Sequence, residues 1–179
     1  MSPTALDELA AIEHIKRLKT RYCRYVDSKQ WARLRGLFTD DVRFEGLGSA
    51  PNGATLDAFI TGISTRFHDA VSIHYCPNAD IVLTGANTAR GVWSMMDYVQ
   101  WPAGFSPREA PNARGFRGFG HYEEEYRCDD GVWRIAFLRL TRLRIDPVGI
   151  ESPEPAKDLL ALSPDWLGIH ASEFPPARE

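Results

Sequence analysis

Two residues of this chain are well suited to general-base chemistry. His74 lies in "SIHYC", on the strand face it shares with Ser72 and Cys76, small neighbours that leave room beside the ring. An imidazole titrates near neutral pH, so it is the natural base, and a carboxylate on its second nitrogen fixes its tautomer. Asp27, in "RYCRYVDSKQW", is the candidate carboxylate. Its type and place also predict an N-cap for a second helix, with Gln30 three residues on as capping-box partner. Tyr22 would donate a hydrogen bond to a substrate oxygen, or pack in the core with its hydroxyl at the rim. Arg142, in "LRLTRLRI", needs an anion or a carboxylate if it faces inward, whereas Arg139 and Arg144 suit solvent. His121 is a second candidate histidine, with an edge position as its plain alternative. Trp93, Tyr25 and Phe119 are the aromatic residues expected beside a substrate. Ser72, Gly91, Gly118 and Gly120 are small at positions that would otherwise fill a cavity.

Other chemistries find little support. There is no H-E-x-x-H, C-x-x-C, phosphate-loop or G-x-S-x-G pattern. Asp27, His74 and His121 have the types of a two-histidine, one-carboxylate metal set, but their spacing does not favour one. No metal and no cofactor are expected.

The elements that must position these residues follow from periodicity. Apolar groups at Leu6, Leu9, Ile12, Ile15, Leu18, Tyr22, Tyr25 and Val26 step by three and four, which predicts a helix over 6–26 with one buried stripe. A shorter helix is expected over 30–38, then a turn and short strand over 39–48, then a third helix over 55–67 with Thr55 as N-cap. From residue 71 the period becomes two. Strands are expected over 71–76, 79–83, 88–101, 114–128 and 132–145, with "DDG" (129–131) as a hairpin turn. Helices first and strands after predict an α+β domain over 1–146, its helices on one face of a curved antiparallel sheet. If that sheet curls into a cone, the mouth is the place for a small-molecule pocket. Specificity would sit in the loop 102–113 and in the tail 147–179. The tail's Leu159, Leu160, Leu162, Trp166, Leu167 and Ile169 suit a lid.

With 179 residues, 44% hydrophobic and 25% charged, the chain can build one domain with a proper core. A net charge of −3 gives no reason to expect nucleic acid or an anionic membrane as partner. The N-terminal stretch has no apolar run of signal-peptide kind, and no run reaches membrane-span length. Cys23, Cys76 and Cys128 show no paired spacing, so free thiols in a reducing cytoplasm are expected. Residues 91–101 are apolar on both parities: Trp93, Met95, Val99 and Trp101 on one, Val92, Met96 and Tyr98 on the other. Such a strand needs a cover on each side, which points to a homo-oligomer.

Taken together, "IKRLKTRYCRYVDSKQWARLRGLFTDDVRFE", "SIHYCPNADIVL" and "YEEEYRCDDGVWRIAFLRLTRLRI" make residues 11–146 resemble the SnoaL-like members of the nuclear-transport-factor-2-like superfamily, in the scytalone dehydratase and bile-acid 7α-dehydratase branch. The resemblance implies a cone wrapped around three N-terminal helices. It implies His74 as base, Asp27 as its orienting partner, Tyr22 as hydroxyl donor and Arg142 as a pocket arginine, with His121 near a second pocket histidine. The implied activity is a cofactor-independent lyase of dehydratase type acting on a hydrophobic cyclic or polycyclic hydroxy-carbonyl compound. Double-bond isomerases and polyketide cyclases are nearby variants. A non-catalytic subunit or binding protein, like the β subunit of aromatic-ring dioxygenases, is the alternative. The resemblance also implies a trimer, or else a dimer.

Overall fold

The computed structural model describes residues 4–153; the tail, with its expected lid leucines and Trp166, lies outside the described residues. The described elements run α1 (Ala5–Asp27), α2 (Trp31–Arg35), β1 (Phe38–Glu45), α3 (Leu56–Arg66), β2 (Val71–Tyr75), β3 (Ala79–Gly85), β4 (Thr88–Gln100), β5 (Gly115–Asp129) and β6 (Val132–Val148). This is an α+β fold in which a curved six-stranded sheet wraps the helices as a cone.

Helix α1 begins at a full capping box. The Thr4 hydroxyl accepts from the Asp7 N–H, while the Asp7 carboxylate accepts from Thr4. Ile15, Leu18, Tyr22, Cys23 and Val26 form its buried stripe. Leu6 and Leu9 do not join them and stay 75% and 64% exposed. Lys19 does join the stripe, although it is charged.

The end of α1 departs from expectation. Asp27 is the last helical residue and caps nothing; the N-cap of α2 is Gln30, which makes no side-chain cap. The chain leaves α1 through a Schellman turn. The Gln30 N–H donates to the Tyr25 carbonyl at 2.8 Å and the Lys29 N–H to Val26 at 3.2 Å. Lys29 takes the left-handed position at φ 58°, a conformation usually left to glycine. Helix α2 is only five residues long, stopped at Gly36, because Phe38 is already paired with Ile135 of β6.

The sheet order is β1-β6-β5-β4-β2, with β3 also on β4. Strands β2 and β3 lie end to end along β4, on residues 96–100 and 88–93. The sheet is mixed and not wholly antiparallel: β1 joins β6 in parallel. The intervening chain supplies the long crossover that a parallel pair requires. Irregular pairings interrupt β5–β6 between Phe119 and Gly120 and between Glu125 and Tyr126. At the first, Leu143 is the extra residue. Such bulges bend a strand and raise its twist, which is how long β5 and β6 curl. Strand β6 runs on through Pro147, beyond the expected end at 145, since β1 no longer flanks it there and no ladder donor is lost.

Strand alternation divides the sheet cleanly. Trp93, Met95, Asp97 and Val99 of β4 face the helices, as do Phe116, Tyr122, Glu124 and Tyr126 of β5. Val92 and Met96 of β4, with Ile73 and Tyr75 of β2, are exposed on the convex side. The core between concave face and helices includes the edge-on and stacked rings of Tyr22, Phe38, Phe44 and Phe59.

Candidate active site

The C-terminus of α1 meets β2 on the concave face. Asp27 takes three hydrogen bonds there. Its Oδ1 accepts from the Ser72 hydroxyl at 3.0 Å and is 2.6 Å from His74 Nδ1, and its Oδ2 accepts from the His74 backbone N–H at 2.8 Å. Both side chains are almost wholly buried, at 5% and 9% exposure for His74 and Asp27. With Nδ1–H assigned as donor to the carboxylate, Nε2 keeps its lone pair and has no hydrogen-bond partner among the described residues. Lys29 completes the cluster by donating to Ser72 Oγ at 3.0 Å.

Electrostatics at His74 combine opposing effects. Burial on its own lowers the imidazole pKa; the Asp27 charge and hydrogen bond, then Asp97 and Cys76, outweigh it and leave the pKa above the ordinary 6.5. A base so placed holds its proton well once it has taken it.

Asp97 is the neighbour that strand reading passed over. It stands opposite His74 in the β2–β4 register, buried, and grips Arg142 through two bonds of 3.0 and 2.6 Å. Arg142 thus reaches the concave face while Arg139 pairs with Glu123 and Arg144 with Asp146 on exposed surfaces. Burial acts to lower the Arg142 pKa, but the bonds and charge of Asp97 raise it. A fixed guanidinium therefore lies on the same face as the imidazole. The parity of "WSMMDYVQW" was the available signal, since it puts Asp97 in step with Trp93, Met95 and Val99.

Other candidate residues fall elsewhere. His121 and Phe119 are on the convex side, in register with Ser94 and Met96, so neither joins His74. The set Asp27, His74 and His121 is accordingly split between opposite faces of the sheet. Among the described residues no group of three or more His, Cys, Asp or Glu side chains is gathered as a metal site. Trp93 is a core residue whose indole N–H donates to the Tyr126 hydroxyl at 2.7 Å. Tyr126 in turn donates to Glu124, which is paired with buried Lys19 beneath the rings of Tyr22 and Tyr122. Tyr22 is buried, and burial pushes its phenol well above its usual pKa despite a side-chain hydrogen bond with Tyr122, so it stays a neutral hydroxyl. Tyr25 is half-buried on α1 and packs against the core.

The space beside Gly91 and Gly118 is taken by protein groups. A Cβ on Gly118 would lie 1.8 Å from the Arg142 guanidinium and 2.2 Å from Asp97, and one on Gly91 would press on Tyr126. These glycines make room for protein groups. A cleft of about 300 Å³ does exist where β4 enters the 102–113 loop, lined by Thr65, Arg66, Asp69, Trp101 and 102–105. It touches none of the dyad residues, although Phe67 links Trp101 to His74 through ring contacts of 5.8 and 6.4 Å.

Comparison with known proteins gives this geometry a setting. A family model described as SnoaL-like domain matches residues 7–139. The "Probable cyclase FGR4" of Gibberella zeae is 26% identical over 148 residues, covering 76% of this chain and 92% of that protein. A scytalone dehydratase-like protein of Novosphingobium aromaticivorans superposes with TM-score 0.68 at 19% identity, covering 84% of this chain and all of its own. A type-3 hexachlorocyclohexane dehydrochlorinase of Novosphingobium barchaimii gives TM-score 0.67 at 22% identity, covering 86% and 100%. At such identities the two structures speak for the fold.

Proposed function

Since the chain belongs to the SnoaL-like domain family, we propose that it is a cofactor-independent lyase of dehydratase type. Its substrate would be a hydrophobic cyclic or polycyclic hydroxy-carbonyl compound. The observation that carries this reading is the buried Asp27–His74 pair, with Nδ1 held at 2.6 Å and Nε2 without a hydrogen-bond partner among the described residues.

In the reaction, Nε2 takes the proton from the carbon next to the carbonyl. The C–H electron pair moves into an enolate, and the negative charge collects on the carbonyl oxygen. Asp27 stabilises the imidazolium that forms and fixes ring orientation. The enolate re-forms the carbonyl by expelling the β hydroxyl, which leaves as water with the proton His74 had taken. Arg142, steadied by Asp97, stands on the face where an oxyanion would need a donor. Tyr22 is the second donor in this reading, its buried hydroxyl held neutral. Isomerisation or cyclisation would begin with the same proton abstraction, and the Gibberella relative bears a cyclase name.

A second reading is a non-catalytic subunit or binding protein. The observation in its favour is that Gly91 and Gly118 make room for side chains of the protein itself. Turnover separates the two. Across a panel of cyclic β-hydroxy ketones, wild-type protein is expected to generate the conjugated enone absorbance, and His74→Gln to lose about 10²–10⁴-fold in rate. A panel that binds yet yields no enone with any member would favour the binding role.

The exposed Ile73, Tyr75, Val92 and Met96 on the convex side support a homo-oligomer formed through that face, a trimer before a dimer. Cytoplasmic residence fits the free thiols.

A further inference from the structure

Two of the three cysteines, scattered in sequence, meet beside the candidate active site. The Cys23 thiol donates to Cys76 Sγ at 3.6 Å. Cys23 follows Tyr22 on α1 and lies one helical turn before Asp27; Cys76 lies two residues after His74, on the same side of the chain. Neither sulfur has a part in the proposed proton transfer. We propose that Cys23 and Cys76 are a redox-active dithiol, a modification site that a hydroperoxide converts into an intramolecular disulfide tying α1 to the end of β2.

Three features support the assignment. The sulfurs need to approach by about 1.5 Å to reach bonding distance, and Cys76 is free to supply that movement. It lies past the last β2–β4 pair, Tyr75 with Met96, and before the first β3–β4 pair, Ala79 with Trp93, so no ladder bond holds it. Next, the two thiols divide the chemistry. The Cys23 hydrogen bond, aided by the Lys19 and His74 charges against the effect of burial, makes Cys76 more acidic than an ordinary thiol. Cys23 moves the other way, raised by that same hydrogen bond and by burial. Cys76 is therefore the attacking thiolate and Cys23 the resolving thiol. Finally, Cys23 is buried and Cys76 half-buried, which lets a small peroxide reach Cys76 first.

The Cys76 thiolate attacks the O–O bond, giving a sulfenic acid, and the released alkoxide takes up the proton Cys76 had lost. The Cys23 sulfur then attacks the sulfenic sulfur. The S–S bond forms as the S–O bond breaks, and the departing hydroxide leaves as water with the Cys23 proton. Two thiols give up two electrons and the hydroperoxide is reduced to an alcohol, or to water if hydrogen peroxide is the oxidant. This inference stands whether or not the lyase reading does.

The test treats fully reduced protein with equimolar hydrogen peroxide, then alkylates and maps it. Expected are the loss of two of the three thiols, a mass decrease of about 2 Da, a linked Cys23–Cys76 peptide, Cys128 still alkylated, and full reversal by dithiothreitol. Cys23→Ala should stop at a Cys76 sulfenic acid trapped by dimedone. Cys76→Ala should oxidise at Cys23 at least about tenfold more slowly than Cys76 does in the wild type. Bridges between chains, a bridge to Cys128, or three thiols that survive the peroxide would overturn the proposal.

Discussion

Asp27 occupies a site where a helix resists a carboxylate, because the last turn of α1 carries the negative end of the macrodipole. What holds it there are the Ser72 hydroxyl, the His74 N–H and the imidazole, all directed onto its two oxygens. Asp27→Asn keeps the shape and removes the charge. The His74 pKa, read from the ring proton shifts by NMR titration, should then fall from above 6.5, since burial would act with less opposition. The linkage has a definite sign. A histidine pKa raised by folding stabilises the fold fully below the unfolded value of 6.5, and that contribution is lost as pH rises through the folded value. The stability gap between wild type and His74→Gln, from urea unfolding, should thus be wider near pH 5.5 than near pH 9. Catalysis runs the other way. A base must be neutral, so kcat/KM should rise with pH through a midpoint above 6.5. Asp27 was legible in sequence as a partner for His74, but its expected cap role was wrong. Residue type alone does not tell an N-cap from a helix end braced by a strand 45 positions away.

At the scale of elements, bulges and glycines decide which side chains reach the concave face. The bulge at Leu143 lets Arg142 face Asp97 while Arg144 turns outward. Gly118 is the space that their ion pair occupies. Gly118→Ala would break that pair inside the sheet and should cost about 2–4 kcal/mol in urea unfolding. Alanine at Gly53, which has nothing within 4 Å, carries only the strain of its φ of 76° and should cost about 1 kcal/mol. Lys19→Met should destabilise by about 3–5 kcal/mol, since Glu124 would remain buried without its cation, and Lys19→Met with Glu124→Gln should recover part of that. Periodicity located eight of the nine described elements closely, because period two and period 3.6 are local properties. The parallel pairing of β1, the brevity of α2 and the side on which His121 lies depend on register with distant strands, which no local window contains.

For the molecule as a whole, α1 brings a carboxylate and the sheet brings an imidazole and a guanidinium, so the site exists only in the folded cone. The convex side is the other large-scale feature, with Ile73, Tyr75, Val92 and Met96 exposed together. Light scattering at micromolar protein is expected to give about three times the 20.2 kDa chain mass, and a monomer mass would refute the covered face. The central claim, that His74 removes a carbon-bound proton, is tested most directly by solvent exchange in deuterium oxide. With a cyclic hydroxy ketone that the wild type accepts, deuterium should enter the position next to the carbonyl, followed by mass spectrometry. In His74→Gln that exchange should slow by at least about 10²-fold. Exchange in His74→Gln at the wild-type rate would contradict the account.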